Sequence, residues 1–229
     1  MKNQNNSETT KEIVKYRIWL SKKEDAKYLS HHDIALLLQQ AIRKADLPVA
    51  LYGDFNPRMK VSFHTSVAVG IACEGEPVDI VLFKDIGAGL LVEKLQKKLP
   101  TGMDIVKADK ILPSKTKFFL KIVYSVNVSR TIPPEKIVEL MSSSSLIVTR
   151  YKENETKKVD IRPYILECSI QKSLPESSTL SLATAMTPQG SVQVWEVLEQ
   201  LGLPKEESLS ISMTRTSVDF VPLLEATPS

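Results

Sequence analysis

Gly53–Gly70 reads GDFNPRMKVSFHTSVAVG, a polar Asp54-Phe55-Asn56-Pro57 turn that feeds a strand bearing Arg58, Lys60, Ser62 and His64. Asp and Asn side chains hydrogen-bond their own backbone and tolerate turn dihedrals, and proline pre-sets its φ, so the segment reads as an ordered bend. Side chains alternate across a strand. Arg58, Lys60, Ser62 and His64 therefore share one face and Met59, Val61 and Phe63 the other, giving a polar working surface backed by core. The alternative is a solvated strand face beside a turn, common where only one side of a sheet is buried.

Upstream of this stretch, residues 1–11 are polar and aperiodic and read as a disordered tail. Tyr16, Ile18 and Leu20 alternate with Arg17 and Trp19, which predicts a strand. Ser30 with Asp33 three residues on has the form of a capping box, and Asp33 suits the positive end of the helix dipole. The helix it opens places Ile34, Leu37, Leu38, Ala41, Ile42 and Ala45 on one side and stops at Asp46-Leu47-Pro48. Downstream, Val61–Ile71 and Pro77–Phe83 are β-rich and are expected to form a hairpin tipped by Cys73-Glu74-Gly75-Glu76. A second helix, about Gly87–Leu99, and a strand over Ile105–Ile111 complete a strand–helix–strand–strand–helix–strand order, the split βαβ or ferredoxin-like pattern.

Leu112-Pro113-Ser114 is the expected linker. Beyond it, strands are predicted at Phe118–Val128, Leu146–Tyr151, Val159–Gln171, Thr179–Met186 and Ser208–Phe220. Short helices are predicted after Pro133-Pro134 and over Ser191–Leu201, and a charged turn over Lys152–Lys157. The expected fold class is α+β, two ferredoxin-like halves in tandem: residues 12–113 and 114–221, with tails at 1–11 and 222–229.

The net charge of +3 is unevenly spread, with 18 Lys and Arg against 14 Asp and Glu in residues 1–115 and 12 against 13 in the remainder. This places an anion-attracting bias on the first half. No run approaches the roughly 18 apolar residues needed to cross a bilayer, and no signal peptide is apparent, so a cytoplasmic setting and no membrane partner are expected. Cys73 and Cys168 are the two cysteines. They cannot supply the three or four thiolates of an iron–sulfur cluster or structural zinc, so no cofactor is expected.

Leu29-Ser30-His31-His32-Asp33, then Gly53–Phe63, then Val69-Gly70 ahead of Glu74-Gly75-Glu76, with Asp160–Ile165 in the second half, resembles a bacterial radical-SAM-associated family of domains of unknown function. Its members are free-standing or fused behind a radical SAM protein that also carries a cobalamin-binding-type domain. The resemblance covers roughly residues 14–220. Two departures stand out: Ser30-His31-His32-Asp33 replaces the more usual Ser-His-Leu-Asp, and Arg58-Met59-Lys60 stands where a histidine often precedes Pro-Lys. A mechanism that needs a histidine at that turn is not carried over. Genes of the family sit beside those for a radical SAM protein, ribosomal proteins and an RNA-processing nuclease. The resemblance therefore implies a radical SAM protein as partner and a role in translation or RNA modification.

Arg58 and Lys60, with Phe55 and Tyr52 nearby, suit RNA, because cations neutralise phosphates and aromatic faces stack unpaired bases. Asn56, Ser62, His64 and Asp33 border that surface, and Arg43 either extends it or complements the helix dipole. His31 or His32 converging with His64 and Lys60 would support acid–base work on a phosphodiester. Against this, a histidine near a helix start more often serves the helix itself. Adjacent histidines point about 100° apart, so no metal site is expected. Asp160 and Arg162 read as a salt bridge orienting Tyr164. The leading expectation is an RNA-binding or substrate-presenting accessory protein without catalysis of its own. The alternatives are a metal-independent ribonuclease or RNA-modifying enzyme, and a protein-interaction module without RNA contact.

Overall fold

A computed structural model describes residues 13–112, 116–152, 155–204, 207 and 211–223. The chain forms a mixed α+β fold, dominated by strands and with four α-helices among the described residues. It divides into two compact units, the first made of residues 1–67 and 76–113, the second of 68–75 and 114–229.

The first unit runs β1 (Val14–Lys22), α1 (His31–Lys44), β2 (Leu51–Tyr52), β3 (Arg58–Met59), β4 (Val61–Phe63), the 76–82 part of β5 (Ala72–Leu82), α2 (Ala88–Gln96) and β6 (Met103–Ile111). Its strands lie in the order β4-β5-β1-β6, with β4 antiparallel to β5 and β6 antiparallel to β1. Tyr16, Ile18 and Leu20 of β1, Val78, Ile80 and Leu82 of β5, and Met103 and Ile105 of β6 all join one core with Ile34, Leu38 and Ile42 of α1 and Leu91 and Leu95 of α2. Both helices thus cover the same side of the sheet. By alternation the opposite side receives Lys15, Arg17 and Trp19 from β1 and Asp79 from β5.

The capping box at Ser30 forms in full. The Ser30 hydroxyl accepts from the Asp33 backbone N–H and the Asp33 carboxylate accepts from the Ser30 N–H. The hairpin expected over Val61–Phe83 takes a different shape. Strand β4 ends at Phe63, and Cys73–Glu76 is not a tip but part of β5. Burial explains the difference, since the Cys73 side chain is 1 % exposed and Glu76 5 % exposed, environments that a solvent-facing turn does not provide. The reversal instead falls between residues 64 and 71, where Gly70 has φ +85°.

The second unit contains β7 (Phe118–Val128), α3 (Pro134–Ser142), β8 (Ile147–Lys152), β9 (Glu155–Asp160), β10 (Ile165–Leu174), β11 (Ser177–Thr187), β12 (Gly190–Ser191), α4 (Val194–Gln200) and β13 (Ser212–Pro222). Strands β10-β11-β7-β13 follow one another with antiparallel pairing, and β8 and β9 make a separate two-stranded sheet. Ala72 and Cys73, also of this unit, pair in parallel with Thr214 and Arg215. The strand expected over Val159–Gln171 is broken by a 3-10 turn at Arg162–Tyr164. Pro163 cannot donate to a ladder, and Ile161 turns fully into the core. Helix α4 is shorter than expected at its start because Gln193 caps it with a reciprocal bond to Glu196. Of the expected strand over Ser208–Phe220, residues 208–210 lie outside the described residues, as do the tail at 1–11, residues 224–229 of the tail expected over 222–229, residues 113–114 of the expected linker and residues 153–154 of the charged turn, while Pro222, placed in that tail, is the last residue of β13.

Candidate functional site

Strands β2 and β3 form a short hairpin in which Tyr52 faces Arg58 and Leu51 faces Met59. The bend between them needs glycine at its first position. Gly53 has φ +88°, and a Cβ there would stand 3.3 Å from the Asn56 carbonyl. The bend presents Phe55 with its whole side chain in solvent and Tyr52 half exposed. Asp54, Asn56, Arg58 and Lys60 are exposed around them, while Met59, Val61 and Phe63 pack against the core. The backbone beneath is tied down, because Lys60 N–H donates to Ala50 O at 2.8 Å and Val81 N–H donates to Lys60 O at 3.0 Å. Arg43 is exposed in the last turn of α1.

His64 and Ser62 follow the same alternation onto the helix-free side, where Ser62 stands opposite Asp79. There Asp79 is the centre of an ion cluster. Its carboxylate accepts from Arg17 Nε at 2.7 Å and from the second Arg17 nitrogen at 3.1 Å. Lys15 Nζ lies 2.6 Å and His64 Nε2 2.8 Å from the same group. The Asp79 side chain is 1 % exposed. Burial pushes its pKa up, but the hydrogen bonds from His64, Arg17 and Lys15 together outweigh that push and hold the carboxyl well below its usual range.

His31 does not join this cluster. Its ring meets Phe63 edge-on with centroids 4.9 Å apart, and Phe63 packs on the core side of β4. His31 and His64 thus serve opposite sides of the strand, and the expected convergence of His31, His32, His64 and Lys60 does not form. His32 is exposed in the first turn of α1. Asp33 is held below its usual pKa by the Ser30 hydroxyl and backbone. Among the described residues no group of three or more His, Cys, Asp or Glu side chains is placed to hold a metal ion. Burial pushes the Cys168 thiol up to about 11, which leaves it un-ionised at neutral pH.

In the second unit Asp160 and Arg162 serve the backbone instead of one another. Asp160 accepts from the Leu146 and Arg162 N–H groups at 2.9 and 3.0 Å. Arg162 donates to the carbonyls of Met141, Ser143 and Ile165 at 2.7, 3.1 and 2.8 Å. The broken strand accounts for this, since the two residues no longer share a strand face. Arg162 thus pins the end of α3 to the 3-10 turn, and Asp160 ties that turn to Leu146 just before β8.

Sequence reasoning missed Lys15, Arg17 and Asp79. One signal was available: Asp79 is a lone carboxylate within Pro77–Phe83, an otherwise apolar strand, and a charge in such a run is paired. It also missed Arg150, whose guanidinium donates at 2.7 and 2.8 Å to the fully buried Glu196 carboxylate, and Asp85, which accepts from Tyr16, Lys110 and the Gly87 N–H.

A sequence model of the family described as "Uncharacterized protein conserved in bacteria (DUF2344)" matches residues 15–194. No curated protein matches the chain. Among solved structures, a chain from "Crystal Structure of a Cbf5-Nop10-Gar1 Complex" is similar at a TM-score of 0.46 and 10% identity, over 89% of this chain and 48% of that one. The present chain thus spans about half of its length. A second, "Crystal Structure of an Unknown Protein from Galdieria sulphuraria", is similar at a TM-score of 0.30 and 12% identity, over 93% of this chain and all of that one.

Proposed function

This chain belongs to the family of uncharacterized proteins conserved in bacteria (DUF2344), and we propose that it is an RNA-binding accessory protein whose contact surface is centred on the β2–β3 hairpin. One observation carries the reading: the Phe55 side chain is wholly in solvent at the tip of an anchored bend, beside Tyr52, Arg58 and Lys60. A fully exposed aromatic ring adds nothing to the packed core and offers both its faces to a stacking base. The cations beside it supply phosphate neutralisation. Asn56, Ser62 and Arg43 add hydrogen-bond donors and charge to the border of that surface.

Each unit is read as a split βαβ sandwich, with the β8–β9 hairpin as an insertion in the second. The strand orders β4-β5-β1-β6 and β10-β11-β7-β13 support this. The radical SAM partner rests on the sequence resemblance, and a cytoplasmic setting agrees with a chain whose two cysteines are both buried.

Binding of a labelled single-stranded RNA, measured by anisotropy at two salt concentrations, tests the RNA reading. The wild type is expected to bind with affinity that falls steeply with salt, and Arg58→Ala/Lys60→Ala to weaken it. Binding that ignores both the salt and the substitutions would favour a protein-interaction module. A pull-down from cell extract that recovers no radical SAM protein would sink that partner while leaving the RNA reading intact.

A further inference from the structure

The helix-free side of the first unit's sheet carries an arrangement that the hairpin does not explain. Along β1, Lys15, Arg17 and Trp19 alternate with the core residues Tyr16, Ile18 and Leu20. Across on β6, Trp19 pairs with Lys107 and Arg17 with Asp109. Lys107 Nζ sits 3.8 Å from the centre of the Trp19 ring. Lys107 and Asp109 are exposed and 3.5 Å apart. Lys60, exposed, reaches the same side by the alternation that carries Ser62 and His64 there.

We propose that this sheet face is a second RNA contact, in which an unpaired base stacks on Trp19 and the adjoining phosphates are held by Lys107 and Lys15. The inference rests on the RNA reading above and extends it from the hairpin onto the sheet. Charge complementarity selects the occupant: Lys15, Arg17, Lys60 and Lys107 stand against Asp79 and Asp109, a cationic surplus around an aromatic ring on one face of the sheet. The buried Asp79 fixes Lys15 and Arg17 from below without cancelling both charges. Trp19 and Lys15 stand four residues apart on one strand, about 13.6 Å, so Lys15 meets a phosphate further along the RNA than the stacked base, while Lys107 meets one beside it. The Lys107 ammonium holds one ring face of Trp19 by an exposed cation–π contact, which is weak. An incoming base displaces it and leaves the ammonium free to meet a phosphate.

Trp19 and Trp195 are the two tryptophans of the chain, and Trp195 belongs to the second unit. A Trp195→Phe background therefore makes Trp19 the reporter. An oligouridylate of about twelve nucleotides, within the span of single-strand sites, is titrated while tryptophan emission and anisotropy of the labelled RNA are followed together. Trp19 emission is expected to be quenched with the same midpoint as the anisotropy change. Trp19→Ala should weaken binding by roughly 5- to 150-fold, Trp19→Tyr should restore most of it, and Lys107→Ala should lower the salt slope by about 0.7. RNA bound in a Phe55-dependent way, with no quenching and full affinity in Trp19→Ala and Lys107→Ala, overturns the sheet contact and spares the hairpin. No RNA bound by the wild type overturns both.

Discussion

Asp79 keeps its charge at 1 % exposure because Arg17, Lys15 and His64 replace the water it lost. Its folded pKa lies below the ordinary value of 3.8, so the unfolded chain takes up a proton on acidification before the folded one does. The stability it contributes is therefore complete above about pH 5 and is lost as the pH falls through 4 toward the folded value. Urea unfolding of wild type and Asp79→Asn across pH 3–7 should show a gap of about 3 kcal/mol near neutrality, the low end for breaking a buried pair because the cations can rehydrate. That gap should narrow on the acid side. A pH-independent gap would mean that the carboxylate contributes shape and not charge. Phe55, by contrast, has nothing to lose on truncation. Phe55→Ala should alter stability by less than about 0.5 kcal/mol while weakening RNA binding, and a large fall in thermal stability would remove it from the surface to which we assign it.

Helix α1 is secured at its start by Ser30 and Asp33 and along its length by Ile34, Leu38 and Ile42. Ser30→Ala should cost about 0.5–2 kcal/mol through the lost cap, read as a shift in the denaturation midpoint at constant slope. The connection between α2 and β6 is more constrained. Gly102 has φ +81°, and a Cβ would stand 2.8 Å from the Lys23 carbonyl and 3.0 Å from the Ala26 side chain. Gly102→Ala should destabilise by about 1–3 kcal/mol, and a neutral outcome in thermal melts would show that the backbone there shifts freely. In the second unit the Arg150–Glu196 pair binds β8 to α4, and Pro163 interrupts what the alternation alone would have continued as one strand.

For the molecule as a whole, an RNA function predicts a property of the summed charge. The affinity of the wild type should fall log-linearly with salt, by about 0.7 in slope for each phosphate neutralised on a single strand. Arg58→Ala/Lys60→Ala should lower that slope by about 1.4, and an unchanged slope would place the phosphate contacts elsewhere. The uneven charge of the chain, with its surplus in residues 1–115, already pointed to the first unit.

Local rules decide local features, which is why the α1 cap and apolar stripe, the span Phe118–Val128, the Asp54–Pro57 bend and the two-sidedness of residues 58–64 can be read from residue order. Each depends on residues within one or two turns of itself, and neighbouring side chains leave little choice. The tertiary structure alone decided the course of Cys73–Glu76, because whether an acidic segment turns or continues depends on the burial that distant residues offer it. It alone decided the partners of Asp79, since Arg17 lies 62 residues away in the chain. It also parted His31, at the start of α1 against the core-side Phe63, from His64, which meets Asp79 on the other side of the sheet. A charge announces that it needs a partner; which partner it finds is set by strand order and register, which nothing short of the folded sheet supplies.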